Sequence, residues 1–142
     1  IFPNLETIDL GNTYTNGAVV TPNRLDALNL NGFPKLKILR CDGVVLTSLS
    51  VAENPELSTL DCKNNRLQEL NLSGQTALTT LFCSDNFFTE LDLSQNTNLT
   101  NLQCQGNPDL NVIYVWDGFD LDNPQNSIAE ITKDDHTQFL RK

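Results

Sequence analysis

The sequence predicts a right-handed solenoid of about five short coils, mostly strand and turn with little helix. Three observations carry that reading. Leu36, Leu57, Leu78 and Leu99 step by 21 residues, as do Leu39, Leu60, Leu81 and Leu102 and all four cysteines, Cys41, Cys62, Cys83 and Cys104. Further apolar columns keep the same step: Leu46, Leu67, Phe88; Leu49, Leu70, Leu91; and Val51, Leu72, Leu93. Both halves of each unit also end in period-2 alternation, the pattern of a short strand with one side inward. Two such strands in a 21-residue coil leave little room for a helix.

Each unit reads LxxLxCxxNxLxxLxL and then a short polar turn. A period of this length with this leucine spacing is the leucine-rich repeat pattern, a solenoid of the horseshoe class with one coil per unit. The whole is expected to be a single leucine-rich repeat domain over residues 1–142. Residues 1–35 make an N-terminal coil with an inserted loop, 36–115 the regular repeats, and 116–142 a C-terminal cap.

Taken in order, Leu5, Ile8 and Leu10 open the solenoid. Asn12 to Asn23 then breaks the pattern with turn formers and a small apolar patch, Ala18-Val19-Val20. Leu10 and Leu25 stand ten residues further apart than the unit requires, so a loop should protrude from the first coil. Leu25, Leu28 and Leu30 restore the register. Pro22 and Pro34 fall in turns, because proline cannot supply a ladder N–H in a central strand.

Strands are expected near Thr59–Cys62, Thr80–Cys83 and Asn101–Cys104, cysteines inward, within two parallel sheets that face each other across a thin core. The pattern gains one residue at Asn107-Pro108-Asp109 and finishes with Leu110, Ile113 and Val115. From Trp116 the repeat stops. Asp117 to Asn126 reads as a turn-rich loop, and Ile128 to Lys142 as the cap, with an edge strand near Ile128 or at Gln138 to Arg141. Tyr114 and Trp116 alternate with inward neighbours and are expected to stack under that tail; a sugar-stacking platform is the alternative.

The cysteines occupy a column where an ordinary coil carries an inward Leu, and a buried thiol is a small apolar group. Neighbouring Cα atoms about 4.8 Å apart do not exclude a disulfide. In-register Cβ atoms on parallel strands point the same way, however, which makes the dihedral awkward, so a reduced thiol ladder is expected. Asn65, Asn86 and Asn107 lie three residues after a cysteine; Asn54, Gln75 and Asn96 lie three after the second strand. Side-chain amides can satisfy backbone groups where a chain turns. Two amide ladders, one per corner, are therefore expected, in a structural role.

Composition excludes several partners. A formal net charge of −9 argues against nucleic acid, whose phosphates need clustered cations, and against an anionic membrane surface. No apolar run approaches the roughly 20 residues of a spanning helix. The chain opens at Ile1 with no basic, apolar leader, so a targeting peptide is expected outside this sequence.

Binding is expected on the outer face of the cysteine-bearing strands. One outward column there reads Arg40, Asp61, Phe82, Gln103 and the next Asp42, Lys63, Ser84, Gln105. Phe82 is the candidate anchor, since aromatic residues dominate hot spots; a lone exposed ring is otherwise ordinary. Arg40, Asp61, Gln103 and Lys63 are the candidate polar rim. Phe87 is a further surface aromatic by pattern. Asp117, Asp120 and Asp122, with Asn123, are a weak calcium candidate, but the loop lacks the glycine and closing glutamate of an EF-hand. A plain acidic turn is the expectation, with no metal and no cofactor. His136 has no second ligand pattern, and Glu69, Glu90 and Asp92 read as a solvated acidic face. No catalytic triad spacing, phosphate loop or HxxxH pair is present, so an enzyme is not expected.

The unit LxxLxCxxNxLxxLDLSxN is carried most closely by LTTLFCSDN at 78–86 and FTELDLSQN at 88–96. It resembles the 21-residue cysteine-containing leucine-rich repeat of cell-surface and secreted proteins of Bacteroidetes and other bacteria. IYVWDGF, from Ile113 to Phe119, resembles the cap segments after such arrays. The first coil departs from the pattern, with Leu10 for the cysteine and Thr13 for the asparagine, as does Val44 in the second. The resemblance implies a non-catalytic recognition module, secreted or at the cell surface, binding a protein or peptide, with a glycan as the other candidate ligand. A monomer is expected. A structural spacer within a larger surface protein is the alternative.

Overall fold

In the computed structural model, residues 3–11 and 25–142 are described. The loop expected at Asn12 to Asn23 lies outside them. In chain order the strands are β1 (Thr7–Asp9), β2 (Ala27–Leu28), β3 (Ile38–Arg40), β4 (Ser48–Leu49), β5 (Thr59–Asp61), β6 (Thr80–Phe82), β7 (Glu90–Asp92), β8 (Asn101–Gln103), β9 (Val112–Val115), β10 (Glu130–Thr132) and β11 (Gln138–Arg141). Helix is limited, among the described residues, to one 3₁₀ turn at Pro124–Asn126.

The fold is a parallel β-solenoid of the leucine-rich repeat class. One face is a continuous six-stranded sheet in the order β1-β3-β5-β6-β8-β10, whose rows are separated by about five turns of the chain. Leu39, Leu60, Leu81 and Leu102 pair in register along it, so the sequence period becomes the row-to-row repeat. The cysteine just past each strand extends the ladder; Cys62 N–H donates to Phe82 O at 2.8 Å. The leucine columns and the cysteines are buried, and they fill the thin space between the two faces.

Each coil must turn sharply as it leaves this sheet. The residue two after the cysteine takes a left-handed backbone every time: Gly43 (φ 68°), Asn64 (55°), Asp85 (55°) and Gly106 (75°). Glycine, asparagine and aspartate are the types that enter this region at least cost. Val45 (φ 66°) also sits there, although β-branched residues rarely do.

The opposite face departs from expectation. It is two separate sheets, β2-β4 and β11-β9-β7, because Glu69–Asn71 joins no ladder between β4 and β7. Leu70 and Leu72 still point into the core, so the side-chain column survives where backbone pairing does not.

The C-terminal tail is more than a cap with one edge strand. It is a complete further coil, with β10 beside β8 and β11 beside β9. Ile131 and Phe139 face the core in place of leucines, and Ile128 and Phe119 are buried beneath the wider loop. Asp134 closes the corner: its carboxylate accepts from Gly106 N–H and Asn107 N–H, both at 3.1 Å.

Candidate functional site

The register places Arg40, Asp61, Phe82 and Gln103 side by side on β3, β5, β6 and β8, forming one line across the six-stranded sheet. Parallel rows about 4.8 Å apart make that line roughly 15 Å long. Arg40 is exposed and lies 3.8 Å from Asp9 on β1. Phe82 and Gln103 are half-buried, and no outward position of the other described strands in this sheet carries an aromatic ring.

Asp61 is not the exposed rim residue that alternation predicts. It is only 6% exposed, because Lys63 folds back over it. The Lys63 amine lies 2.7 Å from Asp61 Oδ2 and 5.8 Å from the centre of the Phe82 ring. Burial alone would lower the lysine, but the hydrogen bond and charge of Asp61, with Asp42 behind it, hold the amine above its ordinary value. Asp42 moves up as well, first through burial and then through the charge of Asp61, against the opposing pull of Lys63. The chain is tight here: a Cβ on Gly11 would meet Asp42 Oδ1 at 2.2 Å.

A third ladder went unread in the sequence. Ser58 Oγ donates to Lys37 O (3.1 Å), Thr79 Oγ1 to Ser58 O (3.0 Å) and Thr100 Oγ1 to Thr79 O (3.2 Å). Small hydroxyl residues recurring in one column were the available signal. These hydroxyl protons are committed to the backbone. At the C-terminal end, Asn101 donates to Glu130, and Thr132 Oγ1 donates to Gln105 Oε1 at 2.8 Å. Ser84 is outward by alternation but only 2% exposed. Its hydroxyl and Asn101 Oδ1 have no hydrogen-bond partner among the described residues.

The other candidates are spread around the molecule. Trp116 meets Phe119 edge-on at 5.1 Å, and Phe119 packs on Phe139 at 5.1 Å. Tyr114 lies beneath the Lys142 amine, 5.2 Å from its ring centre, and the same amine pairs with Asp92. Both rings thus serve the terminal coil. Phe87 is 51% exposed, at the corner away from the line. Asp120 is occupied within its own loop, accepting from Asn126 Nδ2 (2.7 Å), Asn123 N–H (2.9 Å) and Asp122 N–H (3.1 Å). Those bonds hold its carboxyl below the usual range, the Asn126 bond first. Asp117 and Asp122 do not join it around a common point; among the described residues no three His, Cys, Asp or Glu side chains are grouped to hold a metal.

All four cysteines are free and buried. Burial pushes the Cys41 and Cys104 thiols up to about 12, and Cys62 and Cys83 well above the ordinary value. They are therefore protonated at neutral pH and unreactive as nucleophiles. The amide ladders run beside them: Asn65, Asn86 and Asn107 at the cysteine corner, and Asn54, Gln75 and Asn96 at the other, all buried.

No protein-family model matches the chain, and no curated protein matches it. A solved structure does: the functional domain of InlJ from Listeria monocytogenes, described as including a cysteine ladder. The likeness has 26% identity and a TM-score of 0.59, and covers 81% of this chain. This chain spans 27% of the length of that one. The two share a leucine-rich repeat solenoid, and in both the cysteines form a ladder.

Proposed function

We propose that the chain is a non-catalytic recognition module, secreted or at a bacterial cell surface, that binds a protein or peptide on the outer face of the six-stranded sheet. The Bacteroidetes-type repeat that its sequence resembles is the natural setting for such a module. One observation carries the choice of face: Phe82 is a half-buried ring in the middle of a row of side chains carried by hydrogen-bonded parallel strands. Half-buried aromatics at the centre of a patch are the usual anchors of interfaces. The broken opposite face is dominated by acidic and small polar groups up to Tyr114.

A second reading, a structural spacer, draws support from how fully the face satisfies itself. Lys37 pairs with Glu6, Arg40 with Asp9 and Lys63 with Asp61. One experiment separates the two. A screen against proteins and glycans identifies a ligand; Phe82→Ala then weakens binding by about 1–2 kcal/mol or more, while Asn71→Ala on the other face leaves it unchanged. Negligible effects from Phe82→Ala, Arg40→Ala and Gln103→Ala alike would defeat the assignment of this face.

A further inference from the structure

The charges on this face are unevenly placed. The three ion pairs, Glu6–Lys37, Asp9–Arg40 and Asp61–Lys63, all lie on or beside β1, β3 and β5. On β6 and β8 and just past them the outward residues are Thr80, Phe82, Ser84, Asn101, Gln103 and Gln105, with no charge among them. Of the flanking charges, the Lys63 amine is paired with Asp61 at 2.7 Å, while Glu130, which accepts from Asn101, and Asp85 at the corner past β6 stand exposed at the margins.

A charged ligand group set over Phe82 and Gln103 would lose its water and meet no counter-charge on those two strands, which is costly. Uncharged hydrogen-bonding groups would fare differently. The Thr80 hydroxyl and the Gln103 amide form no hydrogen bond among the described residues, and Gln105 keeps its NH₂ donors free after accepting from Thr132. Amides offer donors and acceptors together, the complement of a peptide backbone. One face of the Phe82 ring is shared with the Lys63 ammonium, which a sugar stacking on that face would have to displace, whereas an apolar side chain needs only the part of the ring left exposed.

We infer that β6 and β8 form a subsite for an uncharged, extended polypeptide segment, with an apolar side chain at Phe82 and the segment's backbone at Gln103 and Gln105. Two rows and their margins span about 10–14 Å, the length of about three or four extended residues. The inference rests on the reading of the face given above and narrows it to one half of that face and one ligand chemistry.

The test is selection of a phage library of random dodecapeptides on the immobilised protein, with parallel selections on Phe82→Ala and Gln103→Lys. Circular dichroism confirms that both variants are folded. The expected result is a set of peptides enriched about tenfold or more over Phe82→Ala, depleted of Asp, Glu, Lys and Arg in their shared segment. Their synthetic versions should change affinity by less than about twofold between about 50 and 500 mM NaCl. Gln103→Lys should lose these peptides and gain acidic ones. Phe82-dependent peptides that are charged, or whose binding falls about tenfold in salt, would overturn the inference and leave the face as the site. Peptides enriched equally on Phe82→Ala would overturn the face itself. No peptide enrichment, with Phe82-dependent binding on a neutral-glycan array instead, would reassign the subsite to carbohydrate.

Discussion

The two corners of the solenoid carry the same residue type and use it differently. At the cysteine corner each asparagine is bonded at both ends. Asn65 Oδ1 accepts from Leu46 N–H at 2.9 Å, and its amide donates to Cys41 O (2.8 Å) and Cys62 O (2.9 Å). Asn86 and Asn107 repeat the arrangement one and two coils on. At the opposite corner the amides only donate. Asn54 reaches Leu30 O and Phe33 O, Gln75 reaches Val51 O, and Asn96 reaches Leu72 O and Gln75 O. There Asn54 Oδ1 and Asn96 Oδ1 have no hydrogen-bond partner among the described residues. A corner that needs an acceptor and a donor at fixed separation takes asparagine in the three successive coils of Asn65, Asn86 and Asn107. A corner that needs a donor alone accepts the longer glutamine.

Alkali is the severest way to set the corners apart, since the thiols line only one of them. Their unfolded values lie near 9 and two of the folded ones near 12. Raised folded values mean that the native state keeps protons the unfolded chain releases. That stability is fully present below pH 9, and it is lost as pH climbs towards 12. Urea midpoints attributable to the thiols should hold steady up to about pH 8 and fall steeply beyond about pH 9. A Cys83→Ala variant should show a shallower fall; an unchanged slope would mean that other groups govern it.

Alanine comes next. Asn86→Ala strands Leu67 N–H and the carbonyls of Cys62 and Cys83, each buried, and should cost about 3 kcal/mol or more in urea unfolding. Asn96→Ala strands carbonyls only and removes an unpartnered oxygen with them, so about 1–2 kcal/mol is expected. Equal costs would erase the distinction between the corners. The smallest and sharpest contrast is to glutamine. Asn96→Gln follows the precedent of Gln75 and should cost less than about 1 kcal/mol, whereas Asn86→Gln should cost clearly more, because its carbonyl overshoots Leu67 N–H.

How much of this was legible in the sequence depended on whether a feature lived in the period. The rows, the inward cysteines and the positions of both amide columns did, because each is a property of the repeat. The burial of Asp61 did not: it comes from the reach of one flexible lysine two residues on. The break at Glu69–Asn71 was hidden because the apolar columns run through it undisturbed, and only the backbone ladder stops. The terminal coil escaped because β10 pairs Ile131 with Leu102, a step stretched by the loop between them, with Ile and Phe where leucine was sought.

One consequence of the register concerns the length of the molecule itself. Each bridging asparagine holds its own coil and the one before it, and nothing in those bonds refers to a particular coil number. Loss of residues 57–77, one unit of 21, would join Glu56 to Leu78 with every column still aligned and would set Asn86 against Cys41. A gene that gains or loses such a unit by unequal recombination would thus change the reach of the sheet by about 4.8 Å per event while leaving each corner chemically as it was. For this architecture, extent is a quantity that inheritance can adjust in whole steps, separately from the side chains displayed on it.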